Sequence, residues 1–230
     1  MEIGRVRAPS SIGLVAGDDH ESWRASSLSR VNYAGAMTGG AGVSGPLAPP
    51  REALSDEAVE LVPLGRAHLA PLAELGSDPL VQRYTRVPEQ FGAKEAEWWL
   101  GLYERGWGDG SRAGFAIVEQ RGAAFVGMIA FVTLRLEAAE AEVGYIVSPE
   151  ARGRGIAVRA LQLVTHWGLD ELGLARIELR AELENPASLR VAERCGYVRE
   201  GTLRNVHVKP GRRGDMALFS RIARDGGEAS

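Results

Sequence analysis

The sequence predicts a mixed α/β domain: a long, mostly antiparallel sheet of six to seven strands, with helices on both faces and one parallel strand pair. Three observations predict it. Short runs with period-two apolar alternation recur across residues 58–222; RIELRAEL (176–183) is the cleanest, with Ile177, Leu179, Ala181 and Leu183 on one face and charges on the other. Helical spacing appears between such runs, most clearly at Ile156, Ala160, Leu163, Val164 and Trp167. The strand EVGYIV (142–147) and the strand 176–183 flank that helix, and a helical crossover is the usual connection between parallel neighbours. Strands joined by tight turns pair antiparallel instead.

The elements follow in chain order. Residues 1–57 carry five glycines between Gly35 and Gly45, then Pro46, Pro49 and Pro50, with no sustained period. A segment of that kind buries too little apolar surface to offset its ordering entropy, so a disordered extension is expected there. The folded domain is expected to begin at Ala58 with the strand AVELVP, closed by Pro63. Helices follow at 66–75 and 94–107, and Trp98, Trp99, Leu102 and Tyr103 of the second form a stripe suited to core packing. DPLVQRYTRVPEQFG, between them, reads as a loop bordering a cleft. GFAIVEQ (114–120) and AFVGMIAFVTL (124–134) form a hairpin across Arg121-Gly122-Ala123. After the central strand and helix, Gly173 stops the helix, and Asn185-Pro186 makes an N-cap and first-turn pair for a helix ending at Gly196. Strands at 197–208 and 215–222 close the sheet as a hairpin across Pro210-Gly211, and residues 223–230 are expected to form a flexible tail.

Composition bounds the function classes. Apolar content of 45% and charged content of 25% are globular averages. A net charge of −3 gives no general reason to expect nucleic acid or an anionic membrane as partner. No apolar run approaches the roughly 18 residues that span a bilayer. The single cysteine, Cys195, rules out an intrachain disulfide and fits a reducing cytoplasm, where the protein is expected.

The chemistry concentrates in AEVGYIVSPEARGRGIAV (141–158). A strand, a loop rich in Arg and Gly and a helix N-terminus, in that order, make an anion site, because first-turn N–H groups have no partner within the helix and the dipole adds positive charge there. Gly153 and Gly155 let the backbone approach a bulky anion, and Arg152 and Arg154 add charge. The local reading is a pyrophosphate cradle; a glycine-rich tight turn is the plain alternative. A dinucleotide fingerprint is rejected, since its third small position falls on Val158 and the preceding strand carries Glu142 and ends at Pro149.

The run VSPEARGRGIA resembles the Arg/Gln-x-x-Gly-x-Gly/Ala acyl-CoA motif of the GNAT N-acetyltransferase superfamily, here Arg152, Gly155 and Ala157. ENPASLRVAERCGYVREGTLRN is similar to the ribosomal-protein N-acetyltransferase (RimJ/RimL-type) branch at Asn185, Ser188, Gly196, Tyr197, Glu200 and Gly201, and RGDMALFSRI resembles that branch's closing strand. The resemblance covers about residues 58–222 and implies the acyl-CoA N-acyltransferase fold, with acetyl-CoA as acyl donor, no metal, and an amine as acceptor. It implies that the two parallel strands splay and admit the pantetheine arm. Backbone groups at Tyr145, Ile146 and Val147 would bind the arm, and one N–H would polarise the thioester carbonyl. The N–H groups of Gly153, Arg154, Gly155, Ile156, Ala157 and Val158 would hold the pyrophosphate, with Asn185 and Ser188 near the pantetheine and sulfur. Direct attack by a neutral amine benefits from a base, for which Glu142 is the expectation, and from a proton donor to the thiolate. Many relatives place a tyrosine seven residues after the asparagine; Ala192 stands there, which leaves Ser188 as the expected acid. The resemblance allows a homodimer. The acceptor is open between a protein N-terminus and a small amine, and two other functions compete: a non-catalytic acyl-CoA-binding module, and transfer of a longer acyl group.

Overall fold

A computed structural model describes residues 46–223. Residues 1–45 of the predicted extension and residues 224–230 of the predicted tail lie outside the described residues. The strands are β1 (Leu54–Ser55), β2 (Val59–Pro63), β3 (Ala113–Glu119), β4 (Phe125–Arg135), β5 (Glu140–Val147), β6 (Arg176–Glu182), β7 (Val198–Lys209) and β8 (Arg212–Ile222). The helices are α1 (Leu69–Gly76), α2 (Pro79–Tyr84), α3 (Ala93–Asp109), α4 (Ile156–His166) and α5 (Pro186–Arg194). One sheet holds all eight strands in the order β1-β2-β3-β4-β5-β6-β8-β7. Every neighbouring pair is antiparallel except β5 and β6. The α4 crossover between those two explains the exception.

Alternation along the strands sorts side chains into two cores. Phe115, Ile117, Ile129, Phe131, Ala141, Val143, Ile177 and Leu179 pack with Ile156, Ala160, Leu161, Val164 and Trp167 of α4 and its extension, and with Ala192 of α5. Ala116, Val118, Met128, Ala130 and Ile146, the alternate residues, pack against Leu72 and Leu75 of α1, Val81 of α2 and Ala96, Leu100 and Tyr103 of α3. The sheet therefore has helices on both faces, as the alternation requires. Among the described residues no helix is long and apolar enough to cross a membrane.

Three expectations need correction. The sheet has eight strands rather than six to seven, because β1 pairs with β2. The fold begins before residue 58: Leu47 and Leu54 are buried, and the Leu47 N–H donates to the Trp107 carbonyl at 2.8 Å. Two isolated leucines among prolines and charges carry no period, which hid them. The 77–93 loop contains α2, whose N-cap Asp78 accepts from the Leu80 and Val81 N–H groups and whose first residue is Pro79. Those signals stand in the sequence, but six residues are too few for a helical period to register.

Candidate functional site: a splayed strand pair and its loop

β5 and β6 pair only from Glu140–Arg176 to Val143–Leu179. β5 continues against β4 to Val147, and β6 continues against β8 to Glu182. The two strands part after Val143, leaving the β6-side edge of Gly144–Val147 without a strand. The β4–β5 register slips between Phe131 and Thr133, opposite Val143 and Glu142, where the parting starts. A bulge there adds local twist and turns the strand away.

At the end of β5, Pro149–Ala151 makes a single 3-10 turn, and the chain enters α4 through Gly153 (φ 76°) and Gly155 (φ 81°). Both glycines need the left-handed region, and a Cβ on either would meet nothing within 4 Å. The space in front of the loop is open. Gly155 caps α4 without a side-chain hydrogen bond. Among the described residues none of the N–H groups from Gly153 to Val158 has a hydrogen-bond acceptor, the first such bond being Arg159 N–H to the Gly155 carbonyl. Of these six uncapped residues, Gly153, Arg154, Gly155 and Val158 line a cavity of about 510 Å³, together with Arg159, Gln162 and Arg194. Donors, positive charge and room suit a bulky phosphate ester. Among the described residues no cluster of His, Cys, Asp and Glu has the makings of a metal site.

The arginines are placed differently from the simple cradle picture. Arg152 turns its guanidinium to Asp78 (2.6 and 3.3 Å) and its Nε to the Val147 carbonyl (3.0 Å). Burial opposes ionisation of Asp78, but Arg152 and the Val81 and Leu80 amides outweigh it and hold the carboxyl below its ordinary value. Arg154 pairs with Glu119, and Arg159 with Asp56 and Glu57. Arg159 and Arg194 contribute to the cavity wall, and neither is among the residues expected to bind the cofactor.

Across the gap, Asn185 caps α5 by accepting the Ser188 N–H at 3.1 Å. The Ser188 hydroxyl lies 2.9 Å from the Tyr145 phenol oxygen, so the residues on opposite walls of the gap meet. Burial raises the Tyr145 phenol to about 12, against the effect of its bond to Ser188, and it stays protonated. Ala192, where many relatives have tyrosine, is fully buried. Burial likewise pushes the Cys195 thiol to about 11, with its sulfur on the Val158 carbonyl at 3.5 Å, which leaves it little nucleophilic character. Glu142 lies on the other face of β5, one residue before the strands part, with its carboxylate 3.7 Å from Arg180 Nε. On that face a second cavity, of about 300 Å³, opens between α2 and the β7–β8 turn, lined by Pro79, Gln82, Arg83, Glu89, Lys209, Pro210 and Arg212.

Residues 58–198 match the acetyltransferase (GNAT) domain family. The chain is 31% identical over 97 residues to the ribosomal-protein-serine acetyltransferase of Escherichia coli K12, covering 42% of this chain and 54% of that protein. It is 29% identical over 150 residues to the spermidine N(1)-acetyltransferase of the same strain, covering 65% and 77%. The fold is shared with a crystal structure of spermidine N-acetyltransferase from Vibrio cholerae in complex with CoA and spermine (TM-score 0.65, 23% identity, 73% of this chain and 96% of that one).

Proposed function

The chain belongs to the GNAT acetyltransferase family and is an acetyl-CoA-dependent N-acetyltransferase, and we propose that it acetylates a primary amine by direct attack in a ternary complex. The observation that carries this reading is the run of six uncapped amides at the mouth of a splayed parallel pair. In this reading Gly153–Val158 hold the pyrophosphate with their N–H groups, while Arg154 adds charge and Arg152 fixes the loop to α2. The unpaired edge of Tyr145, Ile146 and Val147 receives the pantetheine arm, and an N–H there stabilises the oxyanion. Asn185 sets the start of α5 and the position of Ser188.

The thiolate leaves beside the Tyr145–Ser188 pair, which can return a proton to it through two hydroxyls already in hydrogen-bond contact. The acceptor attacks as the neutral amine, the minor form of groups with pKa values of about 8 to 10.4, and its nitrogen must lose one further proton as the amide forms. Glu142, the expected base, has its carboxylate on Arg180. The same guanidinium hydrogen-bonds Glu178 at 3.1 Å, so Glu142 is one of two carboxylates on Arg180.

The acceptor reaches the thioester from the opposite face, through the cavity beside α2. Relatives named ribosomal-protein-serine acetyltransferase and spermidine N(1)-acetyltransferase support an amine, and the three cations Arg83, Lys209 and Arg212 beside one carboxylate, Glu89, suit a peptide terminus better than a bare polycation. The test is thiol release from acetyl-CoA against N-terminal peptides, spermidine and small amines. Turnover with a peptide terminus or a small primary amine is expected, and acetyl-CoA binding without acetylation of any amine would overturn the reading.

A further inference from the structure

Behind the wall of the acceptor cavity lies a buried polar cluster that the mechanism above leaves unused. Glu182 ends β6, within the stretch that has parted from β5, and His207 sits on β7. Each is only 2% exposed. His207 Nδ1 is 3.7 Å from Glu182 Oε1. Among the described residues no side chain hydrogen-bonds either imidazole nitrogen, the Thr85 backbone being the polar group within reach of the ring, and Glu182 Oε2 has no partner. Buried polar atoms are satisfied almost everywhere in proteins, so an open carboxylate oxygen beside the one lone pair of a neutral imidazole marks a place meant for a donor. The fold makes room for them: His207 stands opposite Gly214 of β8, and a Cβ at Gly214 would collide with the Glu182 carboxylate.

The cluster connects to the cavity through Arg212. Its guanidinium pairs with Glu182 Oε1, its side chain is one-third exposed, and it lines the cavity. Arg212 is thus the side chain that stands between the cluster and a molecule bound in that cavity. The charged groups facing His207 are Glu182 from β6, Arg212 from β8, Lys209 from its own strand and Arg86 from the segment after α2, and the Thr85 backbone is also within reach. Burial first, and the Lys209 and Arg86 charges after it, hold the imidazole below its ordinary 6.5 against the Thr85 backbone, so at neutral pH it keeps a lone pair.

We propose that His207, oriented by Glu182, takes the proton that the acceptor nitrogen gives up as it attacks the thioester. The proposal rests on the acetyl-transfer reading and names the base it requires. As the nitrogen lone pair bonds to the carbonyl carbon, the nitrogen becomes strongly acidic, and one N–H proton passes to the imidazole lone pair. The tetrahedral adduct then collapses, the C–S bond breaks, and the thiolate takes a proton at the Tyr145–Ser188 side. The imidazolium returns its proton to water through the cavity, and the Tyr145–Ser188 pair regains from water the proton it gave the thiolate. The sum is amine plus acetyl-CoA giving amide plus coenzyme A, with no proton left over. A base whose own pKa lies below neutrality suits this step, because it need only deprotonate the adduct, not the free ammonium.

The test compares wild type with His207→Gln, and it has a second arm that needs no variant. kcat/KM for an amine identified by the thiol-release screen is measured from pH 5 to 9, and acetyl-CoA affinity is measured by calorimetry. The wild type should lose rate on the acid side as His207 protonates. The glutamine variant should keep its acetyl-CoA affinity, drop about 10²–10⁴-fold in kcat/KM and lose that acid limb. In the second arm, imidazole resonances of the ¹⁵N-labelled wild-type protein, which has four histidines, are followed with coenzyme A present while the same amine is added. The His207 signals and their titration midpoint should move. A folded glutamine variant with the wild-type pH profile, or His207 resonances indifferent to the bound amine, overturns the proposal while leaving acetyl transfer standing. A wild-type chain that binds acetyl-CoA and acetylates no amine removes the parent reading and this one with it.

Discussion

Replacing Arg152 by glutamine separates two roles that one arginine in an anion loop can play. If the side chain held phosphate, its loss would weaken acetyl-CoA binding and leave the empty protein intact. The structure instead gives the guanidinium two contacts with Asp78 and its Nε one with the Val147 carbonyl. Hydrogen bonds to charged groups contribute about 1.5–3 kcal/mol each when sheltered. The Arg152 side chain is 31% exposed and that of Asp78 12%, so solvent screens part of this, and the three together are worth about 2 kcal/mol. A domain of this size loses about 2–4 °C in Tm per kcal/mol, which predicts a fall of about 4–8 °C. Thermal unfolding without ligand measures it, and calorimetry with acetyl-CoA measures the other role.

The expected result is the drop in Tm with an affinity change under about tenfold, or ~1.4 kcal/mol. Asp78→Asn should cost a similar amount, and the double variant less than the sum, because both substitutions break one interaction. The pH dependence carries a sign. The Asp78 carboxyl is held below 3.8 in the fold, so its pairing stabilises above that value and fades as pH falls through the folded pKa. Wild type and Arg152→Gln should therefore converge in Tm in acid. An affinity loss well beyond tenfold with Tm unchanged would place the guanidinium on the phosphates and refute the assignment.

Gly155→Val forces a β-branched residue to φ near 81°, at a cost of about 1–2 kcal/mol, and puts its side chain over the uncapped amides; acetyl-CoA affinity should fall at least about tenfold while the protein stays folded, and unchanged affinity by calorimetry would contradict the loop assignment. Ser188→Ala and Tyr145→Phe each remove one hydroxyl from a single bonded pair, so each should lower kcat about 10²-fold, with the double variant little worse than the single ones; additive losses in steady-state rates would mean two separate functions. Glu142→Gln breaks a partly exposed ion pair with Arg180 worth about 1 kcal/mol, and should leave the acid limb of the pH–rate profile in place; loss of that limb would return the base to Glu142.

What the sequence disclosed, it disclosed through local chemistry. The strand–loop–helix at 141–158 is legible because proline, glycine and apolar spacing each act within a few residues, and the crossover to β6 follows from that helix. Asn185-Pro186 announces α5 in the same way. What stayed hidden depends on partners far along the chain. Arg152 and Asp78 are 74 residues apart, and nothing near either one announces the other. The meeting of Tyr145 and Ser188 required knowing how far β5 and β6 part. The Glu182–His207–Arg212 cluster depends on the sheet order β6-β8-β7, in which the last strand slips between two earlier ones. An alternating strand pattern is silent about which neighbour it will have.

On the proposed reading, that same order lets the two substrates meet without sharing a wall. Parallel β5 and β6 can separate at their C-terminal ends because α4 and α5 occupy one face only, and the side chains there (Tyr145, Val147, Ser188) belong to the donor side. β8 keeps β6 paired to its last residue while β5 leaves, so the far wall of the gap is carried by the C-terminal hairpin, which brings Arg212 and Lys209 to the opposite face. α2 spans that face and is tied at both ends: Asp78 to Arg152 on the β5 side, and Arg83 to Glu184 on the β6 side. The ties are unequal. The Arg83 and Glu184 side chains are 51% and 66% exposed, so that pair contributes at most about 1 kcal/mol, whereas the sheltered Arg152 contact is bidentate and shared with the helix cap. The stronger tie braces the anion loop. At the other end Gln82 hydrogen-bonds the Gly76 and Glu89 carbonyls and Lys209 the Val87 carbonyl, so the hairpin and the segment after α2 hold the side on which the weak ion pair lies.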